Sequence, residues 1–395
     1  MGKPVIISGV RTAIGRFGGA FKDYSAVELG AAAIKEALNR AGVDPSDVDE
    51  VALGNVIQVN DDSYTARLAA LKAGIPQEVP AFNLNRWCSS GLEAINMGAQ
   101  LIMTGEAETV VAGGAENMSQ TPYLLPYQAR FDGLRLGDVT LRDGLIAGLN
   151  CPVNRYHMGV TAENVASRHE VSREDQDRLA AMSQQRAARA IKEGRFRDQI
   201  VPVSVPQRRG EPKTIDTDEH PRPDTTIEAL AQLRPAFKEG GTVTAGNASG
   251  INDGAAAVVM MSEEKARAVG AKPRLRWHTR AVAGVDPALM GTGPVPAVRK
   301  VLQKAGMTLD DIDVIELNEA FAAQAWYCIR ELGMDIEKTN PNGSGIALGH
   351  PVGATGAIMT VKAMEELERI DGEFALVTMC VGGGQGVATI FQRVS

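Results

Sequence analysis

The 395-residue chain has few aromatic residues, only five histidines and four cysteines, and no long apolar run. Because it lacks about 18 uninterrupted apolar residues, we predict no membrane span and no membrane partner. The N-terminus starts with a strand-like segment and lacks the charged–apolar–cleavage order of a secretory signal, so we expect a cytoplasmic protein. A net charge of −7 argues against non-specific nucleic-acid binding, which needs a basic surface.

The four cysteines, Cys88, Cys151, Cys328 and Cys380, are far apart, and no pair has CxxC spacing. Without secretion we expect no disulfide framework, and the thiols should be reduced. The five histidines do not cluster either. We therefore predict no metal site and no tightly bound cofactor.

Two segments of the chain resemble each other. Residues 37–55 and 301–319 both contain a helix end, an Ala-Gly stop, an acidic turn and an apolar strand. Gly42 and Gly306 have the position of helix C-caps. Further along each half, a turn of small residues precedes a helix and then an apolar strand that ends in glycines. This alternation predicts an α/β fold, and the repeat predicts two halves related by a pseudo-twofold axis; chance similarity is the alternative.

The region between the halves has a different composition. Residues 119–250 are rich in proline, arginine and polar residues, with one helical region predicted from about Ala162 to Glu193. Ser172, followed three residues later by Asp175, is expected to be a helix cap. We interpret 119–250 as an excursion from the first half that covers a ligand site.

Cys88 is the first candidate for chemistry. Ser89, Ser90 and Gly91 follow it, and a helix is expected to start among them. A cysteine at a helix N-terminus faces unpaired N–H groups and the positive end of the dipole, which favour thiolate. A buried structural cysteine is the alternative.

His350 lies in a stretch rich in glycine and proline, which predicts an ordered turn. Aligning residues 89–91 with 354–356 puts Cys88 three residues from the position equivalent to His350. The pseudo-twofold axis would then bring both turns together, and a Cys–His pair is a common way to activate a thiol. A capping histidine is the alternative.

Two further candidates for chemistry lie at the ends of predicted strands. Cys380 precedes glycines whose backbone N–H groups suit an oxyanion hole, although a glycine hairpin would look the same. Asn318 follows an apolar strand and could hold a water or a carbonyl, or be an ordinary helix cap.

Together these segments resemble the signatures of the thiolase family. The matching motifs are Asn85–Gly91 (NRWCSSG), Asn318–Phe321 (NEAF), Gly349–Gly356 (GHPVGATG) and Cys380–Gly386 (CVGGGQG). The resemblance spans essentially the whole chain. It implies the thiolase fold: two duplicated α/β halves in an α-β-α-β-α arrangement with an inserted loop domain. The implied boundaries are 1–118, completed by 243–270, for the N-terminal half; 119–242 for the loop domain; and 271–395 for the C-terminal half.

The resemblance also implies a ping-pong acyl transfer between coenzyme A thioesters. Cys88 would carry the acyl group, His350 would take its proton, and Cys380 would remove a proton from a second acetyl-CoA. One oxyanion hole would be His350 with a water on Asn318, and the other the N–H groups of Cys88 and Gly382. The residues expected against coenzyme A or the acyl group are His157, Met158, Arg222, Phe237, Ala245, Gly246, Ser249, Met290 and Phe321.

The expected activity is that of an acetyl-CoA C-acetyltransferase, and family members form dimers or tetramers. A 3-ketoacyl-CoA thiolase of fatty-acid degradation shares every motif and is the main alternative. A ketoacyl synthase-like condensing enzyme and a non-catalytic CoA-binding protein fit less well, because two reactive cysteines would be unexplained. Trp87 and Ser344 depart from the residues usual in the family and put substrate specificity in question.

Overall fold

The computed structural model describes residues 2–58, 63–134, 136–207 and 209–394. The strands are β1 Pro4–Thr12, β2 Gly15–Arg16, β3 Glu50–Gly54, β4 Ala81–Leu84, β5 Thr109–Asn117, β6 Tyr123–Leu124, β7 Arg142–Asp143, β8 Ile200–Val201, β9 Val203–Val205, β10 Lys213–Ile215, β11 Asn252–Ser262, β12 Leu275–Gly284, β13 Val314–Leu317, β14 Phe374–Val381 and β15 Gln385–Arg393. The helices are α1 Ala26–Ala41, α2 Thr65–Lys72, α3 Ser90–Thr104, α4 Ala129–Asp132, α5 Gly144–Gly148, α6 Met158–Arg168, α7 Arg173–Lys192, α8 Ile227–Ala231, α9 Glu263–Val269, α10 Pro294–Ala305, α11 Ala322–Leu332, α12 Gly345–Leu348 and α13 Thr355–Ile370.

The main strands form one continuous sheet in the order β13-β14-β15-β12-β1-β11-β5-β3-β4. Its two halves meet between β1 and β12, where the paired residues are Val5 with Arg276 and Ile6 with Leu275. On each side of this junction the strand order repeats, with a parallel pair (β3 with β5, and β13 with β14) farther out. The predicted pseudo-twofold duplication is therefore visible in the sheet topology.

The sequence repeat has the local structure that it predicted. Gly42 and Gly306 cap α1 and α10 in the left-handed conformation, with φ of 64° and 68°. After each cap, a short 3-10 turn starts at Asp44 or Thr308 and leads into β3 or β13. Glycine is favoured at both caps because it has no Cβ to clash at positive φ.

Helices α3 and α13 form a central layer between the two halves of the sheet, and α1 and α10 cover its outer faces. The first turns of α3 and α13 touch directly. A Cβ on Gly356 would lie 2.5 Å from the backbone N of Leu92, and a Cβ on Gly91 would lie 2.9 Å from the carbonyl O of Gly353. Only glycine allows this approach, so the two turns that precede these helices are held side by side. The layers follow the predicted α-β-α-β-α order.

The predicted helical region from about Ala162 to Glu193 is in fact two helices, α6 and α7. Glu170, between them, has a φ of 52°, which interrupts the helical conformation. Ser172 then begins α7, and its side chain accepts a hydrogen bond from the backbone N of Asp175 as predicted. No helix in the described part of the chain is long and apolar enough to cross a membrane.

Candidate active site

Cys88 lies in the tight turn between β4 and α3. The turn is closed by Ser90, whose Oγ accepts from the backbone N of Arg86 at 2.8 Å and donates to the carbonyl of Trp87 at 2.6 Å. Helix α3 begins at Ser90, within the predicted range. Trp87 has a φ of 46°, a left-handed conformation that is strained for a bulky residue. The strained residue directly precedes the cysteine.

The environment of Cys88 favours the neutral thiol. Burial raises its pKa to about 11, while a hydrogen bond from the backbone N–H of Gly382 acts in the opposite direction. The N–H donors at the turn favour the thiolate, as the sequence suggested, but desolvation of the charged sulfur is the larger effect, so the thiol is neutral in the free protein.

His350 is held at both ring nitrogens and is nearly buried. Its Nδ1 lies 2.7 Å from Oγ1 of Thr355, and that hydroxyl donates to the carbonyl of Pro351 at 2.9 Å. Because the hydroxyl has one hydrogen, it accepts from Nδ1–H, which leaves Nε2 unprotonated. Burial lowers the pKa of His350 to about 4, so the ring is neutral near pH 7.

Asn318 directly follows β13 and lies beside His350. Its Nδ2 is 3.3 Å from Nε2 of His350. Its backbone is fixed on both sides, since its N donates to the carbonyl of Thr378 at 3.0 Å and its carbonyl accepts from Nε2 of Gln324 at 3.1 Å. Among the described residues, no donor reaches its buried Oδ1. The NEAF and GHP motifs thus meet at one point.

Cys380 is buried near the end of β14. Burial raises its pKa well above the ordinary value, and the nearby Cys88 adds to this. The chain then turns through Gly383 and Gly384, whose φ values are 85° and 88°. This turn presents the backbone N–H of Gly382 to the sulfur of Cys88.

These groups surround a cavity of about 580 Å³. Most residues predicted to contact coenzyme A or the acyl group line it: His157, Met158, Arg222, Phe237, Ala245, Ser249, Met290 and Phe321, together with Cys88, His350 and Gly382. Gly246 lines a neighbouring cavity of about 330 Å³ that shares Arg222 and Ala245. Asn318 and Cys380 are not among the lining residues, and both lie behind them.

Phe237 is the centre of an aromatic group in the cavity wall. Its ring stacks on His157 with centroids 4.7 Å apart and meets Phe321 edge-on at 5.9 Å. A Cβ on Gly159 would lie 2.2 Å from the Phe237 ring. The loop that carries Phe237 is therefore docked on the start of α6.

Comparison with known proteins agrees with this geometry. Residues 4–264 match the model of the thiolase N-terminal domain, and residues 271–393 match that of the thiolase C-terminal domain. The chain belongs to the thiolase family. It is accordingly an acyltransferase, and thiolases act on coenzyme A thioesters.

Individual thiolases are similar over nearly their whole length. The beta-ketothiolase BktB of Cupriavidus necator is 55% identical over 392 residues, 99% of each chain. The acetyl-CoA acetyltransferase of Pseudomonas aeruginosa is 53% identical over 390 residues, 98% of this chain and 99% of that one. The crystal structure of the Bacillus anthracis acetyl-CoA acetyltransferase superposes with a TM-score of 0.97 at 48% identity, covering 100% of this chain and 99% of that one. Human mitochondrial 3-ketoacyl-CoA thiolase gives a TM-score of 0.96 at 44% identity, with the same coverage.

Several residues of this thiolase site were not singled out from the sequence. Thr355 holds Nδ1 of His350, and Asn252 accepts from the backbone N of His350 at 3.0 Å. Thr355 lies within the GHPVGATG motif and could have been found there. Asn252 comes from β11, a strand distant in sequence, so only the fold could reveal it. Ser344, one of the departures, donates to the carbonyl of Leu317 at 3.1 Å and packs behind Asn318.

Proposed function

We propose that this thiolase is an acetyl-CoA C-acetyltransferase, which condenses two acetyl-CoA to acetoacetyl-CoA and CoA and catalyses the reverse thiolysis. The observation that carries the proposal is the convergence of Cys88, His350 and Gly382 on one cavity, with Asn318 and Cys380 directly behind it. Two thiols, a neutral imidazole and backbone donors are the groups that this acyl transfer needs.

In the first half-reaction Cys88 attacks the thioester carbon of acetyl-CoA. Nε2 of His350 is the unprotonated nitrogen, so it takes the thiol proton as the C–S bond forms. The tetrahedral intermediate then expels CoA thiolate, which takes that proton and leaves as CoA, and acetyl-Cys88 remains. The N–H groups of Cys88 and Gly382 bind the oxyanion, and each such donor contributes about 3–4 kcal/mol in comparable sites.

In the second half-reaction Nε2 of His350 takes the proton of the Cys380 thiol, and the resulting thiolate accepts a proton from the methyl group of a second acetyl-CoA. The resulting enolate attacks the carbonyl of acetyl-Cys88, the new C–C bond forms, and the C–S bond to Cys88 breaks. The protonated Nε2 of His350 and a water on Asn318 donate to the enolate oxygen. Cys380 keeps the methyl proton, and the Cys88 thiolate takes the proton of Nε2, which restores both thiols and the neutral imidazole.

Residues 119–242 form the segment that covers the coenzyme A site, with 1–118 plus 243–270 and 271–395 as the two halves. In this proposal Ser249 contacts the pantetheine and Arg222 the adenine. In support, Ser249 lines the larger cavity and Arg222 lines both neighbouring cavities. Phe237 stacks on His157 and so closes the wall over the acyl group.

A 3-ketoacyl-CoA thiolase with a broader chain-length range is the second candidate. The cavity beside Trp87 is also lined by apolar side chains of Ile57, Ile146 and Leu149. The similar Cupriavidus protein is named a beta-ketothiolase rather than an acetyltransferase. An acyl chain longer than acetyl would pack against these side chains.

Thiolysis of acetoacetyl-CoA and of a long-chain 3-ketoacyl-CoA distinguishes the two candidates. A kcat/KM at least about tenfold higher on acetoacetyl-CoA, a difference of about 1.4 kcal/mol in transition-state binding, is expected for the acetyltransferase. Equal or better turnover of the long substrate would overturn the short-chain assignment, and no turnover of either would overturn the activity.

We also propose a homo-oligomer, a dimer or a tetramer. Residues between 119 and 150 expose large apolar side chains, among them Tyr123, Tyr127, Phe131 and Leu136. Such a patch is typical of a protein interface. Light scattering after size exclusion should give a mass of two or four chains, and a monomer at micromolar concentration would contradict this.

The four cysteines are free, which supports a reducing, cytoplasmic location.

A further inference from the structure

Glu116 lies at the end of β5 and is 1% exposed. Its carboxylate accepts hydrogen bonds from two separate loops. Oε2 accepts from the backbone N of Gly353 at 2.8 Å and of Val56 at 2.9 Å. Oε1 accepts from the backbone N of Ile57 at 3.2 Å and from Nδ2 of Asn55 at 3.1 Å. One side chain therefore joins the turn after His350 to the loop after β3.

Both loops belong to the cavity wall. Val56 and Ile57 line it on one side, and His350 and Val352 line it on another, whereas Glu116 itself does not. Hydrogen bonds to an ionised acceptor are stronger than neutral ones, so three backbone donors on one carboxylate fix these loops firmly. Glu116 thus acts on the site through other residues.

The contact at Gly353 leaves no room for adjustment. A Cβ on Gly353 would lie 2.5 Å from Oε2 of Glu116, and a Cβ on Gly114 would lie 2.2 Å from the carbonyl O of Gly353. Gly353 stands two residues before α13, as Cys88 stands two residues before α3. The carboxylate therefore fixes the position of the turn that carries His350 relative to the turn that carries Cys88.

We propose that Glu116 is a positioning residue for the acyl transfer: its buried carboxylate holds the His350 turn against the loop after β3 and places a negative charge near Cys88. This inference rests on the proposed function. Cys88 packs in one apolar cluster with Val56, Ile57 and Val352, which lie in the two loops that Glu116 holds, so the carboxylate is close to the thiol. Its charge contributes to the raised pKa of Cys88, after the larger effect of burial. The same group therefore orders the site and helps to keep the nucleophile protonated before substrate binds.

Two variants separate the effect of the side-chain length of Glu116 from the effect of its charge. Glu116→Gln keeps the shape but removes the charge and presents an amide N to backbone donors. Glu116→Asp keeps the charge but shortens the side chain. We expect kcat for acetoacetyl-CoA thiolysis to fall about 10- to 100-fold in both variants, with KM within about twofold, because small displacements of a catalytic group cost this much.

The rates at which the free Cys88 thiol is alkylated report the charge of Glu116. Removing a negative charge near the sulfur should speed reaction with anionic iodoacetate more than with neutral iodoacetamide, raising the ratio of the two rates at least about twofold in Glu116→Gln. The ratio should stay at the wild-type value in Glu116→Asp. A turn that is merely loosened would speed both reagents equally and leave the ratio unchanged.

Glu163→Gln is the matched control. Glu163 is also buried and accepts from the backbone N of Thr242 and Val243 at 2.9 Å and 2.8 Å, but it does not line the cavity. It should change neither kcat nor the alkylation ratio more than about twofold. Wild-type kcat in Glu116→Gln, or an unchanged ratio in that variant, would overturn the proposal.

If Glu116→Gln does not fold, Glu116→Asp carries the test through its kcat and KM, and wild-type values for both would overturn the proposal. Failure of the wild-type protein to cleave acetoacetyl-CoA would overturn the proposed function instead. The alkylation ratio needs no turnover and would still test where the charge lies.

Discussion

Nδ2 of Asn318 lies 3.3 Å from Nε2 of His350, and both side chains are buried. The two residues come from different motifs, one directly after β13 and the other after α12. Their amide and ring nitrogens face each other at the wall of the cavity that His350 and Cys88 line. The pair therefore joins the proposed base of the first half-reaction to the proposed oxyanion hole of the second.

Asn318→Ala should impair carbon–carbon bond formation more than acylation. We expect the kcat of condensation to fall about 10²–10³-fold, because one oxyanion donor is lost. Acetyl-Cys88 should still form, since its oxyanion is bound by the N–H groups of Cys88 and Gly382. Incorporation of the radiolabelled acetyl group of acetyl-CoA into the protein, compared with the rate of condensation, checks this. An equal loss in both steps would contradict it.

The two cysteines should fail at different steps. Cys88→Ala is expected to abolish labelling by acetyl-CoA, because the nucleophile is absent. Cys380→Ser should still acquire close to one acetyl group per chain but condense at least about 10³-fold more slowly, since the thiol that removes the methyl proton is gone. Wild-type condensation by either variant would refute these roles.

Alkylation of Cys88 in the free protein should increase steeply with pH. Only the thiolate reacts, and burial raises the pKa of this thiol to about 11. The rate with iodoacetamide should therefore rise about tenfold per unit between pH 7 and pH 10. Because burial lowers the pKa of His350 to about 4, no histidine step should appear between pH 5 and pH 8. A plateau by pH 8 would show that the free site holds a thiolate.

Lys362 should contribute strongly to stability. It is buried in α13, where its Nζ lies 2.7 Å from Oε2 of Glu316 and 2.6 Å from the carbonyl of Gly343. Lys362→Met leaves a buried carboxylate without this partner, so the free energy of unfolding in urea should fall by about 3–5 kcal/mol.

Arg178→Met is the control for the Lys362 prediction. Arg178 is exposed and pairs with Glu174 at 2.9 Å one helical turn away. Solvent screens such a pair, so the expected loss is about 0–1 kcal/mol. Equal losses in the two variants would contradict the special role of the buried pair.

The sequence by itself determined the class of fold and selected the groups proposed to react. The repeat could be recognised without coordinates because it consists of local features. These are the apolar patterning and the glycines Gly42 and Gly306, which suit left-handed helix caps. The small residues after Cys88 likewise predicted the start of α3, and the spacing of the motifs carried the resemblance to thiolases.

Only the tertiary structure decided how those groups behave. The protonation of Cys88 depends on how many atoms from distant segments surround its sulfur, and desolvation has a larger effect than the neighbouring N–H donors. Asn252 in β11 and Glu116 in β5 support the turn between α12 and α13 that carries His350, and both strands are distant from that turn in the sequence. Local preference is encoded along the chain, whereas electrostatics and support around a site arise from long-range packing.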